Sequence, residues 1–324
     1  MKNKKPILAV VLIALAAFLD YYLFSVADGN FVKRILLLVL TDLTFVYVFI
    51  RWDKIVQVPV AIHQNRTMVF RLARNDFKTK FSGSYLGIVW AFIQPIVTVF
   101  VYWFVFEKAL NAGTQSTKAG ITVPFVLFLI AGLVPWFYFS DTLNTGTNSL
   151  LEYSFLVKKV VFNVTTLPFV KVISNVFVHC FFLLFILLMY AFYGLYPTPA
   201  MIQIFYYSFC MMCLVTGCVY LTSAIVVFFR DLSQFINIFL QVLVWATPIM
   251  WNFDAVGFGN TVKSILKLNP MFYVIMGYRD ALINEEWFWT NPVGTIYFWI
   301  VTLLIFAVGT SVFEKLKPHF ADVL

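Results

Sequence analysis

Charge is scarce in this sequence. Asp, Glu, Lys and Arg make up 12% of its 324 residues, against about 25% in an ordinary soluble domain. Hydrophobic residues reach 62% and mean hydropathy is +0.88. A water-soluble fold with a polar exterior is excluded, because lipid must solvate much of this surface. Acidic groups are scarcer than basic ones, 15 against 23, giving a net charge of +8. The cations flank apolar runs and form no stripe on one folded face, which argues against nucleic acid as a partner.

Chemistry-bearing motifs are missing as well. No GxxxxGK[ST] phosphate loop occurs, so the chain does not hold ATP phosphates in that manner, and HExxH, GxSxG and the dinucleotide fingerprint are absent. His63, His179 and His319 lie far apart, and the reading of the sequence includes no metal site and no cofactor in this chain. His179 sits in an apolar run, where it suits a proton relay or, more simply, a hydrogen bond between packed helices. Cys180, Cys210, Cys213 and Cys218 all fall in apolar runs. They read as small buried side chains, and no disulfide framework is implied. Asp20 and Asp42 lie in the two leading apolar runs, where a carboxyl is either functional or structurally paired.

What is abundant is apolar length and aromatic surface, the latter 19% of residues. A helix needs about 20 residues to cross the hydrocarbon core. The runs that qualify are 7–27, 31–50, 86–106, 121–140, 167–193, 201–229, 235–251 and 293–313. Lys2, Lys4 and Lys5 precede the first run as in a signal peptide. No small-x-small cleavage site follows, so a retained anchor is expected. With the N-terminus cytoplasmic, roughly 16 of the 23 Lys and Arg residues fall on the inner side and 7 on the outer. That frame obeys the positive-inside rule and places both termini in the cytoplasm.

Three segments are not spans. Residues 63–84 interleave Met68, Phe70, Leu72 and Phe77 with Arg66, Arg71, Arg74, Lys78 and Lys80, the pattern of a helix lying in the headgroup layer. Residues 142–166 form an inner stretch. Residues 252–291 are external and contain Asn269-Pro270, a helix-start signal. A short helix from 270 to about 283 is expected to lie on the outer leaflet or dip into it. Asn291-Pro292 repeats the signal for the last span.

A resemblance attaches to specific residues. The stretch 76–95, DFKTKFSGSYLGIVWAFIQP, with Leu86, Gly87, Trp90 and Pro95, resembles the opening of the first core span in polysaccharide-exporting ABC permeases of the O-antigen, capsule and teichoic acid class. FRDLSQ at 229–234 resembles that family's inner turn between its fourth and fifth core spans. TPI at 247–249, LNP at 268–270 with Arg279, and FEKLKPHFAD at 313–322 follow in the family's order. EYSFLVKKVV at 152–161 is similar to the family's coupling helix, although Asn163 stands where the family pattern has Pro.

The resemblance implies an all-α polytopic bundle. It implies a core of about six spans over 85–324 with external helices near 253–291, preceded by the expected amphipathic interfacial helix at 63–84; the apolar runs add a two-span hairpin at 1–52, on which the resemblance says nothing. The resemblance also implies a homodimer in a bacterial cytoplasmic membrane, two copies of a separate ATPase subunit that binds ATP and Mg²⁺, and a lipid-linked glycan as substrate. Glu152, Tyr153, Phe155, Leu156, Lys158 and Lys159, with Arg230 and Asp231, are the expected ATPase-coupling residues. Physically, Phe155, Leu156 and Lys159 share a helical face suited to a partner's groove. Sugars stack on aromatic rings through their C–H faces, so Trp90, Phe92, Phe100, Tyr102, Trp103 and Phe106 are channel candidates, each of which otherwise packs or faces lipid. A permease for a small lipophilic compound would share this layout. An intramembrane glycosyl- or acyltransferase would have to use Asp254, Asp280, Glu285 and Glu286.

Overall fold

Hydrocarbon offers backbone amides no partners, so a chain this apolar closes its hydrogen bonds within helices. The computed structural model describes residues 5–26, 31–80, 84–111, 113, 115–116, 122–158 and 163–324. Among these, six helical stretches are long and apolar enough to span: Arg34–Gln64, Gly87–Ala109, Phe125–Thr147, Val164–Phe192, Pro199–Val226 and Pro292–Val323. Two shorter apolar helices, Ala9–Ser25 and Leu232–Ala246, complete the expected set of runs. The molecule is all-α, with one small exception. A two-residue antiparallel pairing joins Gln115–Ser116 to Thr122–Val123.

The helices are α1 (Lys5–Val26), α2 (Phe31–Gln64), α3 (Arg66–Thr79), α4 (Trp90–Trp103), α5 (Phe125–Thr147), α6 (Ser149–Glu152) and α7 (Ser154–Val157). They continue with α8 (Leu167–Phe192), α9 (Gln203–Val226), α10 (Leu232–Ala246), α11 (Asn260–Leu266), α12 (Pro270–Arg279), α13 (Pro292–Leu316) and α14 (Phe320–Val323). A π-helical stretch, Phe104–Ala109, extends α4, and another, Asp280–Asn284, extends α12. The Asn-Pro signals act as expected. The Asn269 side chain accepts a bond from the Met271 amide at 3.0 Å, and that of Asn291 from the Gly294 amide at 3.1 Å.

Apolar residues surround α5 on all sides, the pattern of a central helix. It is 83% buried over its apolar window, whereas α2 and α4 are 17% and 11% buried, which makes those two peripheral. Around α5 pack α4, α8, α9, α10 and α12. The tightest pairing is that of α9 with α13. A Cβ added to Gly217 of α9 would sit 2.8 Å from the Phe306 backbone of α13, and one on Gly309 would collide with the Gly217 carbonyl oxygen. Small residues let these backbones touch.

Two expectations change. First, α2 does not stop near residue 50 but runs unbroken to Gln64. It packs along α13, where Val48, Ile55 and Ala307 form a buried cluster with Leu12, Leu303 and Phe306. The leading hairpin is therefore joined laterally to the bundle. Second, α12 is not at the surface. Met271, Val274, Ile275 and Tyr278 are fully buried, and the helix lies against α5 and α9. Its apolar residues occur on all sides, which a two-faced surface helix would not need. At the TPI motif the chain breaks as the resemblance implies: α10 ends at Ala246, and Thr247 turns to extended backbone before Pro248. The amphipathic α3 keeps its expected character. Val69 and Ala73 are buried with Val170 of α8, and Arg66, Arg71, Arg74 and Lys78 are exposed.

Replacing Gly309 by Val is expected to separate α9 from α13. Overpacking at such a contact costs about 1–3 kcal/mol or more, read as a lower Tm of the purified protein in detergent and as reduced membrane abundance. An unchanged Tm would contradict the close crossing.

Candidate functional site

One end of the bundle, here called the base, gathers the segment 148–158, the α9–α10 turn and the C-terminal helix α14. Ser233 at the start of α10 donates to the Asn148 side-chain oxygen at 2.6 Å, which ties the α9–α10 turn to the junction of α5 and α6. Leu150 and Val157 are buried in a cluster with Val58 of α2, Leu167 of α8, Tyr220 and Ala224 of α9, Phe313 of α13 and Phe320 of α14. Tyr153 and Leu156 pack partly against that cluster. Phe155 points outward and is 58% exposed, and Lys158 is exposed beside it.

Of the coupling helix expected over 152–161, residues 159–161 lie outside the described residues, and in the part described two single-turn helices meet at Tyr153. Lys159 lies outside the described residues. Leu156 therefore faces the bundle, and the outward face consists of Phe155 and Lys158. At the neighbouring turn Phe228, Phe229, Arg230 and Asp231 are exposed. The Asp231 carbonyl accepts from the Phe235 amide at 3.1 Å, while its carboxylate makes no cap bond.

Glu152 turns inward. Its carboxylate lies 2.6 Å from Lys171 Nζ of α8, and Lys171 also reaches Asp76 of α3 at 2.7 Å. The Tyr153 hydroxyl donates to Asp76, and its ring lies 5.1 Å beneath the Lys171 ammonium. Burial and the Asp76 carboxylate push the Tyr153 phenol well above its usual range, so it stays a donor. Sequence reading singled out neither Asp76 nor Lys171 for a role. The available signal was a lysine inside an apolar run, one turn after Leu167-Pro168.

Of the aromatic candidates on α4, Trp90 and Phe100 are 43% and 59% exposed. Phe92 packs on Phe181 of α8 at 4.1 Å, Phe106 on Phe125 of α5 at 5.6 Å, and Trp103 carries Lys108 over its ring. Tyr102 is partly buried against the core. A cavity of about 250 Å³ opens between α4, α5 and α8, lined by Trp90, Gln94, Tyr138, Asp141, Asn175 and His179. Lys80 at the end of α3 closes one side through Asp141 at 3.2 Å. Of the six aromatic candidates only Trp90 lines it. His179 Nε2 is 3.2 Å from both Ser208 of α9 and Tyr278 of α12, the arrangement of a histidine bonding packed helices together. All four cysteines are free.

At the far end of the bundle, α12 holds the break after α10. The Asn269 amide donates to Thr247 Oγ1 at 2.8 Å, and Arg279 Nη2 donates to the Ile249 carbonyl at 2.7 Å. Arg279 is 3% exposed, with its guanidinium 3.6 Å over the Phe128 ring of α5. Two of the sequence motifs, TPI at 247–249 and LNP at 268–270 with Arg279, are thus partners in space.

A bundle of apolar spans around a buried central helix, with a short buried helix holding a chain break at one end and an exposed connector at the other, fits a membrane-embedded transport subunit. The chain belongs to the ABC-2 type transporter family, whose profile matches residues 67–283, from α3 through the π-helical end of α12. It is similar to an O-antigen export system permease protein, RfbA, of Klebsiella pneumoniae, 25% identical over 267 residues, covering 78% of this chain and 93% of that protein. The protein of the same name from Myxococcus xanthus is 25% identical over 264 residues, covering 81% of this chain and 96% of that protein.

Changing Arg279 to Met keeps most of the packing on Phe128 but leaves the Ile249 carbonyl without its charged donor. A loss of about 1.5–3 kcal/mol is expected, measured as a lower Tm in detergent, with faster proteolysis near residues 247–260. Wild-type stability in that variant would show that the bond contributes nothing.

Proposed function

We propose that this chain is the membrane-spanning subunit of a bacterial exporter that carries a lipid-linked polysaccharide across the cytoplasmic membrane. It works as a homodimer with two copies of a separate ATPase subunit, which binds ATP and Mg²⁺. The base faces the cytoplasm together with both termini, as the Lys and Arg distribution requires.

One observation carries the reading. On either side of buried α5, the helices α4 and α10 each expose a broad face that mixes aromatic side chains with an amide. Trp90, Gln94 and Phe100 lie on α4, and Phe235, Phe239, Gln241 and Trp245 on α10. Gln94 meets the polar side chains of the cavity beside Asp141 and Asn175, and a glutamine presented to hydrocarbon within a span is costly, so the face bearing Gln241 meets something polar as well. Two copies of the chain set with these faces inward would enclose a passage of rings and amides. Rings stack on the C–H faces of sugars and amides bond to hydroxyls, both weakly and at many positions, which suits a sliding polymer. The O-antigen export named for both relatives agrees with such a cargo.

In this reading, nucleotide closes the ATPase pair and moves the exposed Phe155–Lys158 surface. That segment continues directly from α5, which packs on both α4 and α10, and the Ser233–Asn148 bond ties it to α10 as well, so movement at the base reaches both walls of the passage.

Phe155→Asp would place a charge in an apolar groove of the ATPase, at a desolvation cost of several kcal/mol. Co-purification with the ATPase and surface glycan are expected to fall while membrane insertion persists; unchanged binding and export would refute the docking surface. Gln94→Leu and Gln241→Leu are each expected to slow export by about two- to tenfold, one hydrogen bond's worth, and the pair by more. Surface glycan per inserted subunit is the measurement, and normal export by the double variant would remove the passage from these faces.

A further inference from the structure

We infer that Lys171 is a positioning residue for transport, joining the base segment 149–158, the amphipathic helix α3 and the span α8 into one moving unit. The inference rests on the exporter reading and assigns the path by which the base drives the membrane part.

Lys171 is 7% exposed, yet it belongs to a helix rich in apolar residues and stands one turn after its first residue, Leu167. The start of a helix is the end where a cation is least favoured. A buried ammonium there must be offset by carboxylates, and two reach it from different elements. Asp76 comes from α3 at 2.7 Å and Glu152 from α6 at 2.6 Å. Their side chains differ in exposure, 12% for Asp76 and 49% for Glu152. The Asp76 side is therefore a dry joint between α3 and α8, and the Glu152 side is a wet joint to the segment that bears Phe155.

Tyr153, lying between α6 and α7, closes the loop by donating to Asp76. The exposed Phe155 is thus two residues from a tyrosine anchored on α3 and three from a glutamate anchored on α8. A displacement of Phe155 cannot leave α3 in place unless the Tyr153–Asp76 hydrogen bond or the Glu152–Lys171 pair breaks. α3 carries Arg66, Arg71, Arg74 and Lys78 on its open face, so the same motion repositions a basic surface at the inner headgroup layer, where an anionic lipid-linked substrate waits.

The test uses the complex of this chain with its ATPase, in cells for export and in nanodiscs for hydrolysis. Lys171→Met removes both pairs. Asp76→Asn is nearly isosteric, keeps an acceptor for Tyr153 and leaves Lys171 paired with Glu152, so it does not strand a buried carboxylate. Both are expected to retain ATPase binding and hydrolysis, while glycan exported per ATP hydrolysed falls at least about fivefold, the low end of measured coupling factors. Lys171→Arg should recover most of that ratio. The assignment fails if Asp76→Asn and Lys171→Met export at the wild-type ratio. It also fails if export and hydrolysis decline together in proportion to subunit abundance, the behaviour of a merely structural residue. If the wild-type complex binds no ATPase or exports no glycan, the exporter reading itself falls, a result distinct from either of these.

Discussion

Every backbone group that a helix releases inside a membrane must find a partner in protein, and this requirement organises the molecule. Where α10 stops at Ala246, the freed chain would face hydrocarbon with open carbonyls. α12 supplies what is missing. Its capping residue Asn269 bonds Thr247, and its last residue Arg279 bonds Ile249, so one short helix grips the break from both ends. The guanidinium is itself stabilised over Phe128. That demand explains why α12 is drawn into the bundle against α5 and α9. A surface helix at the outer leaflet could not reach the carbonyl it serves.

The same logic separates what could be read in the sequence from what could not. Apolar run lengths located the spans because burial in lipid depends on composition and length alone. Asn269-Pro270 and Asn291-Pro292 located helix starts because capping is local. The burial of α12 was not legible, since its apolar residues fit a leaflet or a protein core equally well, and only the position of Ile249 decides between them. The continuity of α2 was hidden by Arg51, Asp53 and Lys54, which look like an end of the membrane but interrupt no helix.

The base was legible in place but not in detail. The stretch around Phe155 stood out as a connector, yet the inward turn of Leu156 follows from the pocket formed by Val58, Tyr220, Phe313 and Phe320. Those residues come from three distant parts of the chain. Lys171 illustrates the same difficulty more sharply. A lysine near the end of an apolar run ordinarily reads as a side marker under the positive-inside rule. Its two carboxylate partners lie 95 positions before it on α3 and nineteen before it on α6, and no local pattern joins them.

The length of α2 has a mechanical consequence. At about 1.5 Å per residue its 34 residues extend about 51 Å, far beyond a hydrocarbon core of about 30 Å. One portion packs along α13 through Val48 and Ile55, while Val58, one turn further on, lies in the cluster that holds Leu150 and Val157. A continuous helix held beside α13 and engaged by the base at Val58, next to Pro59, has the two arms of a lever. A small tilt at the base then sweeps the opposite tip of α2, together with α1, through a larger arc in the bilayer plane. Although it lies outside the segment common to the family, the leading hairpin touches the parts within it at the base.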